Sequence, residues 1–303
     1  MSYNGANFVY DNIGNPTLYS QNNLIWSHGR RLDAFSNIAT YKYNVNSIRT
    51  RKTMNVPLKQ GDGSITLSEM TLKYFLDGNK IISQQDAAND ISFYYGVDGI
   101  TCFNIKYNDN DEIYYYKKNL QGDIIGIYAE GGTLIAKYDY DDWGNHTVKY
   151  LDNNDNFVAI ESNYCYNDTS NTNKFIAFKN PFRYRGYYYD FETNLYYLNS
   201  RYYDSEIGRF INADDINILD STQKFGNGLN LYVYCLSNPV NDFNIKSIVD
   251  YTNKAVTFMN KNANLLKLNY SVKYDMIRWI FADSNATGYF DSLGKIITFI
   301  LKG

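Results

Sequence analysis

The side chains most able to do chemistry in this chain are concentrated in one stretch, residues 180–215. The stretch contains four arginines, several acidic residues and many tyrosines, and its charged residues stand between aromatic ones. Guanidinium groups in such a pattern can stack on rings and pair with carboxylates inside a protein, or they can contact a ligand or a nucleic acid. We favour the structural interpretation. The residues concerned are Arg183, Arg185, Asp190, Arg201, Asp204 and Arg209.

Side chains that could act as nucleophiles or metal ligands are few. The three cysteines, Cys102, Cys165 and Cys235, lack metal-ligand spacing, and their odd number argues against a complete disulfide framework. We therefore expect buried or half-buried thiols. The two histidines stand far apart, at His28 and His146. The sequence predicts no metal site and no cofactor.

The composition indicates the kind of fold that must position these residues. The chain has 303 residues, with 32 tyrosines, 17 phenylalanines and only 4 prolines. Tyrosine favours strands, where its ring packs on the sheet and its hydroxyl stays hydrated or hydrogen-bonded. Asparagine is also frequent, which is typical of turns. An all-β, turn-rich fold is predicted.

Charge and hydropathy argue against two classes of partner. The formal net charge is −3 and the isoelectric point is about 5.5, so no nucleic-acid partner is expected. No apolar run approaches the roughly 20 residues needed to span a membrane. Residues 1–15 have neither the basic nor the apolar region of a signal peptide, so none is predicted.

A short motif repeats along the first half of the chain. Tyrosine, aspartate and glycine recur with the same spacing, with Asp11 and Gly14 in one copy and Asp141 and Gly144 in another. The aspartate can bond its own backbone two residues on, and the glycine accepts a positive φ three residues later. Each copy therefore predicts a β-hairpin of about twenty residues. Degenerate copies lie at 43–47, 95–99 and 118–123, and predicted strands include 8–10, 91–95, 112–118, 124–130 and 134–140.

Changes in composition divide the chain into four parts. Residues 1–150 form the hairpin repeats, and the Asn/Asp-rich residues 151–179 are predicted to be an extended surface loop. Residues 180–244 form a core segment. Residues 245–303 have apolar side chains at helical spacing and are predicted to be a small, mostly α-helical tail.

The core segment resembles the conserved core of Rhs/YD-repeat proteins. It carries the runs N-P-F-R-Y-R-G, Y-Y-D-x-E-T-x-L-Y-Y-L and R-Y-Y-D-x-x-x-G-R-F-I, the last of which includes Gly208. The family includes bacterial polymorphic-toxin shells, wall-associated repeat proteins, toxin-complex C subunits and, more distantly, teneurins. The resemblance implies a curled sheet of hairpins that forms part of a shell. It also implies a secreted or cell-surface protein, although this chain does not indicate an export route.

The resemblance further implies a self-cleavage device similar to an aspartic protease, in which two carboxylates share a proton. Asp214 stands where the first aspartate is expected. The second position is occupied by Asn244, and the motif residues after it are Ile245 and Ser247. An amide cannot exchange the shared proton. Asp242, two residues earlier and on the same face of an extended strand, is a weak alternative, so we predict an uncut junction.

In relatives the segment that follows this junction is a variable cargo, often a toxin. The tail here has about sixty residues and contains neither histidine nor cysteine, which excludes a histidine-based nuclease and a Cys-ligated zinc deaminase. The first hypothesis is thus a non-enzymatic shell fragment that pairs with a missing N-terminal shell portion or with itself. The alternatives are a glycan- or surface-binding module, and a toxin whose active tail has an immunity protein as partner.

Overall fold

The computed structural model describes residues 2–3, 6–97, 99–161, 164–214 and 230–240. The chain divides into two compact units, residues 1–233 and residues 234–303. In the second unit, the described residues contain one 3-10 turn, Cys235–Ser237. The predicted boundary near 244–246 and the predicted helical tail lie outside the described residues. No helix among the described residues has the length and apolar character required to cross a bilayer.

The first unit is built on one large antiparallel sheet in which every strand pairs with the strand before and after it in the chain. The sheet is open, because its first and last strands, β1 and β16, are not paired with each other among the described residues. The predicted all-β architecture of successive hairpins is confirmed. The strands are β1 Ser2–Tyr3, β2 Ala6–Tyr10, β3 Pro16–Tyr19, β4 Asn22–Ser27, β5 Arg31–Phe35, β6 Ala39–Tyr43, β7 Arg49–Lys59, β8 Ile65–Asp77, β9 Lys80–Gln85, β10 Asn89–Gly96, β11 Gly99–Tyr107, β12 Asn110–Lys118, β13 Ile124–Ala129, β14 Leu134–Tyr140, β15 His146–Leu151 and β16 Phe157–Ala159.

Side-chain alternation decides which face of the sheet is buried. In β11, for example, the apolar residues Phe103, Ile105 and Tyr107 are buried at every second position. This period of two is that of a pleated strand with one face on a core. Four of the five strand segments listed above fall within strands of this sheet, and the fifth, 124–130, extends one residue beyond β13.

The two full copies of the repeat motif form the same turn. The Asp11 carboxylate accepts the backbone N–H groups of Ile13 and Asn15 at 3.0 and 2.8 Å, and Gly14 has φ of +84°. In the second copy, the Asp141 carboxylate accepts two N–H groups at 2.9 Å, and Gly144 has φ of +93°. In both copies the aspartate and the glycine occupy the turn positions expected from the motif.

The degenerate copies divide into two groups. Asn44 and Asn119 form the same turn through their side-chain oxygens. The copy at 95–99 does not, because Gly96 pairs directly with Gly99 in a tighter hairpin. A further copy escaped the sequence analysis: the Asp152 carboxylate accepts two N–H groups in the same way, at 2.9 and 2.8 Å.

The predicted surface loop at 151–179 is wrong. The segment contains β16 and a helix, α1 Thr172–Lys179, which begins where the Asn171 side chain accepts the Lys174 N–H at 2.9 Å. Phe175 and Ile176 are buried in the core. Polar composition suggested a loop, but asparagine is also a strong helix N-cap, and that role decided the structure here.

The core segment forms a second, smaller antiparallel sheet within the same unit. Its strands are β17 Tyr188–Asp190, β18 Leu195–Leu198, β19 Arg201–Asp204 and β20 Arg209–Phe210. The segment contacts the turns of the large sheet so closely that the turn glycines leave no room for a side chain. A Cβ on Gly144 would lie 2.6 Å from the ring of Tyr184, and a Cβ on Gly14 would lie 2.7 Å from Ala213.

This contact predicts unequal costs for two glycine substitutions with the same backbone conformation. Gly144 and Gly132 both have positive φ, but only Gly144 is covered by the core segment. Gly132→Ala should lower the free energy of unfolding by about 1 kcal/mol through backbone strain alone. Gly144→Ala should cost roughly 1–3 kcal/mol more, because Tyr184 must move. Urea unfolding of the two variants measures the difference, and equal costs would contradict the packing described.

Candidate functional site

Tyrosines of the core segment hold it on the turn around Asp141. Each ring is buried while its hydroxyl donates to a turn carbonyl, which is an acceptor that the turn itself leaves unused. The bonds are Tyr184 Oη to Asp142 O at 2.9 Å, Tyr196 Oη to Gly144 O at 2.8 Å and Tyr203 Oη to Trp143 O at 2.7 Å. The repeat turns are therefore docking points for the core segment as well as hairpin connections.

A buried ion cluster connects the core segment to the middle of the large sheet. Arg49 donates two hydrogen bonds to Asp190, at 2.6 and 2.9 Å, and Lys52 bonds both Asp190 at 2.8 Å and Glu192 at 2.9 Å. The Arg49 and Asp190 side chains are fully buried. Burial alone would raise the pKa of Asp190, but the two cations beside it hold that pKa below its ordinary value.

Aromatic rings surround the Arg49 guanidinium. They provide cation–π contacts that partly replace the water lost on burial. The distances from the guanidinium carbon to the ring centroids are 4.1 Å for Tyr197, 5.1 Å for Tyr74 and Tyr188, and 5.2 Å for Tyr41. Arg49 and this cluster were missed in the sequence because the charges come from β7, far from the recognised motif.

A β-bulge in β7 turns both cations of this cluster toward the core. Lys42 pairs with Arg51 and Tyr43 pairs with Arg49, so Thr50 is an extra residue in β7. A bulge reverses the alternation of side chains. Arg49 and Lys52, three residues apart, therefore both point into the core.

Arg183 stacks on aromatic rings and contacts a half-buried histidine. Its guanidinium lies 4.5 Å from the Tyr189 ring and bonds the Nε2 of His146, whose Nδ1 contacts the Tyr196 hydroxyl at 3.0 Å. Burial, together with the positive charge of Arg183, lowers the pKa of His146 to about 2. The imidazole is therefore neutral at physiological pH and serves as a hydrogen-bonding core residue.

The remaining motif residues also occupy structural positions. Arg185 lies 3.8 Å from Asp123, whose carboxylate accepts the Arg185 N–H at 2.8 Å. Asp204 accepts a hydrogen bond from the Tyr19 hydroxyl at 2.6 Å. A Cβ on Gly208 would meet the Trp143 ring at 2.7 Å. The Arg209 side chain is exposed, and its backbone pairs with Asp204.

Asp214, the candidate catalytic aspartate, lies beside a guanidinium. Its Oδ2 is 2.8 Å from Arg201 Nη1, and the Arg201 guanidinium also stacks on Phe210 at 3.5 Å. Arg30 fixes the backbone here by donating to the carbonyls of Ala213 and Asp214 at 2.8 and 2.7 Å. Burial lowers the pKa of Arg201 to about 10, so the guanidinium stays charged at neutral pH.

The arrangement around Asp214 can hold a negative charge but does not by itself form an acid–base pair. An aspartic protease requires a second carboxylate close enough to share one proton. Asp242 and Asn244, the two positions considered for that partner, lie outside the described residues. The described residues contain no group of three or more histidine, cysteine, aspartate or glutamate side chains that could hold a metal ion.

Parts of this chain are similar in sequence to known bacterial nucleases. No protein-family model matches the chain. The tRNA3(Ser)-specific nuclease WapA of Bacillus spizizenii and the tRNA nuclease WapA of Bacillus subtilis are each 32% identical to it over 247 residues. The match covers 78% of this chain but only 9% of each relative, so the chain spans less than a tenth of their length.

A solved structure shows the same fold. The crystal structure of the TcdB2–TccC3–Cdc42 complex matches 78% of this chain with a TM-score of 0.56, at 19% identity, and the match covers 10% of the toxin chain. The open sheet of hairpins thus has the same fold as the matched part of that chain. This agrees with the curled sheet of hairpins that the core segment implied.

The buried cluster predicts a large effect for one carboxylate. Asp190→Asn should lower the free energy of unfolding by about 3–5 kcal/mol, because it leaves Arg49 and Lys52 buried without a full counter-charge. The matched control is Asp139→Asn, which removes an exposed ion pair with Lys149 and should cost less than about 1 kcal/mol. Chemical denaturation measures both, and similar costs would contradict the role assigned to Asp190.

The half-buried His146 predicts a pH dependence of stability. Below pH 6.5 the unfolded chain binds a proton at His146, which the folded chain does not bind until the pH is near 2. Stability should therefore fall as the pH falls through this range, by roughly 2 kcal/mol for this group between pH 7 and pH 5.

His146→Gln should remove that part of the loss, as measured by urea unfolding at both pH values. The matched control is His28→Gln, because the His28 side chain is exposed. If His146→Gln and the parent protein lose the same stability between the two pH values, the buried, neutral state of His146 is refuted.

Proposed function

We propose that this chain acts as the C-terminal portion of an Rhs/YD-type toxin shell, with a structural role and no enzymatic activity of its own. The observation that carries the proposal is the set of contacts that the charged side chains of the core segment make with the large sheet. Asp190 is bound to the large sheet through its ion pair with Arg49, Arg183 through its hydrogen bond to His146, and Asp204 through its hydrogen bond from Tyr19. Charged side chains that are already paired within the protein stabilise the shell and are not available to bind a substrate.

The geometry of the core segment supports this role. It lies on the turns of the repeats at both ends of the sheet: Tyr203 bonds the turn at Asp141, while the Ala213 N–H bonds the Gly14 carbonyl at 3.0 Å. One short segment thereby fixes hairpins that are more than a hundred residues apart in the chain. In a shell, such a segment holds successive repeats at a defined curvature and determines where the following segment leaves the wall.

The immediate surroundings of Asp214 support an uncut junction. The Asp214 carboxylate lies 2.8 Å from the Arg201 guanidinium, whereas a protease pair needs one proton shared between two carboxyl groups. The sequence places an amide, Asn244, at the second position. We therefore propose that Asp214 has a structural role in the shell, as the ion-pair partner of Arg201.

The WapA relatives are named as tRNA nucleases, and this chain covers only 9% of each of them. We propose that the similarity concerns the shell and that the nuclease activity belongs to other parts of those proteins. Tail residues 245–303 would then occupy the position of a cargo without carrying the histidine chemistry of a nuclease. A complete shell would require further hairpins, which would pair with the open edge of β1.

Mass spectrometry of the purified full chain tests this proposal. We expect one intact species, and Asp214→Asn should leave that mass unchanged apart from the substitution itself. The variant should lose about 1 kcal/mol of stability, since the pair with Arg201 is partly exposed. A clean cut between residues 242 and 250 that is absent from the Asp214→Asn variant would overturn the non-enzymatic assignment.

A further inference from the structure

Two strands of the large sheet are longer than their neighbours and extend beyond them. β6 pairs with β7 only as far as Met54, and β9 pairs with β8 only from Lys73 onward. Residues 55–59 of β7 and 65–72 of β8 therefore pair mainly with each other. We call this projecting hairpin, residues 55–72, the β7–β8 arm.

One edge of the arm is covered by the rest of the chain. On β7, three successive outward-pointing backbone positions each have a partner. The Asn55 N–H donates to Ile38 O at 3.0 Å, the Tyr166 N–H donates to Pro57 O at 2.9 Å, and the Asn167 side chain bonds the Lys59 N–H and carbonyl at 2.8 and 2.9 Å. The outward-pointing backbone groups on this edge of the arm are therefore hydrogen-bonded within the unit.

The opposite edge of the arm is open. The residues of β8 opposite Asn55, Pro57 and Lys59 are Glu69, Leu67 and Ile65. In an antiparallel pair of strands, every second pair of opposed residues is not hydrogen-bonded, and the N–H and C=O groups of both its residues point away from the partner strand. The N–H and C=O groups of Ile65, Leu67 and Glu69 therefore point away from β7, and no strand of the described chain pairs with them there.

The side chains along this edge are apolar as well as accessible. Leu67 is 72% exposed and Ile65 is 58% exposed. An unpaired strand edge that also exposes apolar side chains is a template for another strand. This edge of β8 presents three unpaired backbone donors, three unpaired backbone acceptors and an apolar surface. A β-strand can pair with all of these groups, so the complementary ligand is itself a β-strand.

We propose that this ligand is the β7–β8 arm of a second copy of the chain, paired antiparallel through a two-fold axis at Leu67. Leu67 then faces the partner's Leu67, and Ile65 faces the partner's Glu69. All outward backbone groups of Ile65, Leu67 and Glu69 are satisfied on both strands, as an isologous interface requires. The two apolar side chains are covered at the same time.

Charge disfavours one of the neighbouring registers. Moving the axis to Glu69 would place the two Glu69 carboxylates directly opposite each other, which is unfavourable across a strand pair. With the axis at Leu67, these carboxylates lie at opposite ends of the contact. Each Glu69 carboxylate faces the partner's Ile65. The partner's Lys59 is paired with that Ile65 in the same cross-strand row, so the interaction between Glu69 and the partner's Lys59 is attractive.

Cysteine cross-linking in the full chain tests the register. In a Cys102→Ser background, Leu67→Cys should form a disulfide-linked dimer under mild oxidation. Residues paired in this way have Cα atoms about 5.5 Å apart, within the range that a disulfide spans. Ser68→Cys is the matched control: its two copies would be separated by roughly 8 Å along and across the strands, which is too far to bridge.

Sedimentation velocity over a concentration series tests the association itself. The parent chain should show a dimer that dissociates on dilution, and Leu67→Lys should weaken the dimer about tenfold or more by placing two cations at the axis. At concentrations where both proteins are monomeric, its melting temperature should equal that of the parent, because Leu67 is exposed in the monomer. A parent chain that stays monomeric at all concentrations overturns the proposal, as does cross-linking of Ser68→Cys as efficiently as Leu67→Cys.

Discussion

The bidentate pair between Arg49 and Asp190 is the interaction on which the rest of this structure depends. It joins residues 141 positions apart in the chain, and both side chains are fully buried. Removing two charges from water costs several kcal/mol each, so such a pair is favourable only when its geometry is good and most of its hydrogen bonds are satisfied. In this cluster, Arg49 Nε and Glu192 Oε1 are buried without a hydrogen-bond partner. Lys52 and Glu192 complete the charge balance, and four tyrosine rings enclose the guanidinium. Because a partly formed cluster would be costly, the core segment has one favourable position on the sheet.

Tyrosine explains how the surrounding structure fits this single position. The rings supply apolar area for two packed sheets, while the hydroxyls reach carbonyls that would otherwise be buried without a donor. Tyr196 combines these roles: its ring lies in the core and its hydroxyl bonds both the Gly144 carbonyl and the ring of His146. An isosteric phenylalanine would fill the same volume but would remove the hydrogen bond to the Gly144 carbonyl and the contact with His146 Nδ1. The unusual tyrosine content is therefore a consequence of packing a polar turn surface against another sheet.

Local features of the sequence predicted much of the fold. The turns at Asp11 and Asp141 depend on one carboxylate and one glycine within four residues, so their chemistry is visible in the chain. Helix α1 was hidden because Asn171 serves equally well in a loop and as an N-cap. The turn at Asp152 was hidden in the same Asn/Asp-rich stretch.

The candidate site was less accessible to sequence reasoning, because its partners come from distant elements. Arg183, Asp190 and Asp204 were recognised as structural charges, but nothing local connects Asp190 with Arg49 or Asp204 with Tyr19. The bulge at Thr50 that turns Arg49 inward has no glycine or proline to mark it. Likewise, Arg201 and Asp214 are 13 positions apart, and only the fold brings their charges to 2.8 Å.

Hydrogen exchange measured by mass spectrometry tests the central claim most directly, namely that the core segment and the repeat sheet form one cooperative unit. If Arg49–Asp190 and the tyrosine contacts fix the segment, amides in β18 and β19 should exchange with the same free energy of opening as those in β11, equal to that of global unfolding. Exchange of β18 and β19 through a separate opening of lower free energy, while β11 stays protected, would contradict the account. The segment would then rest on the sheet without organising it.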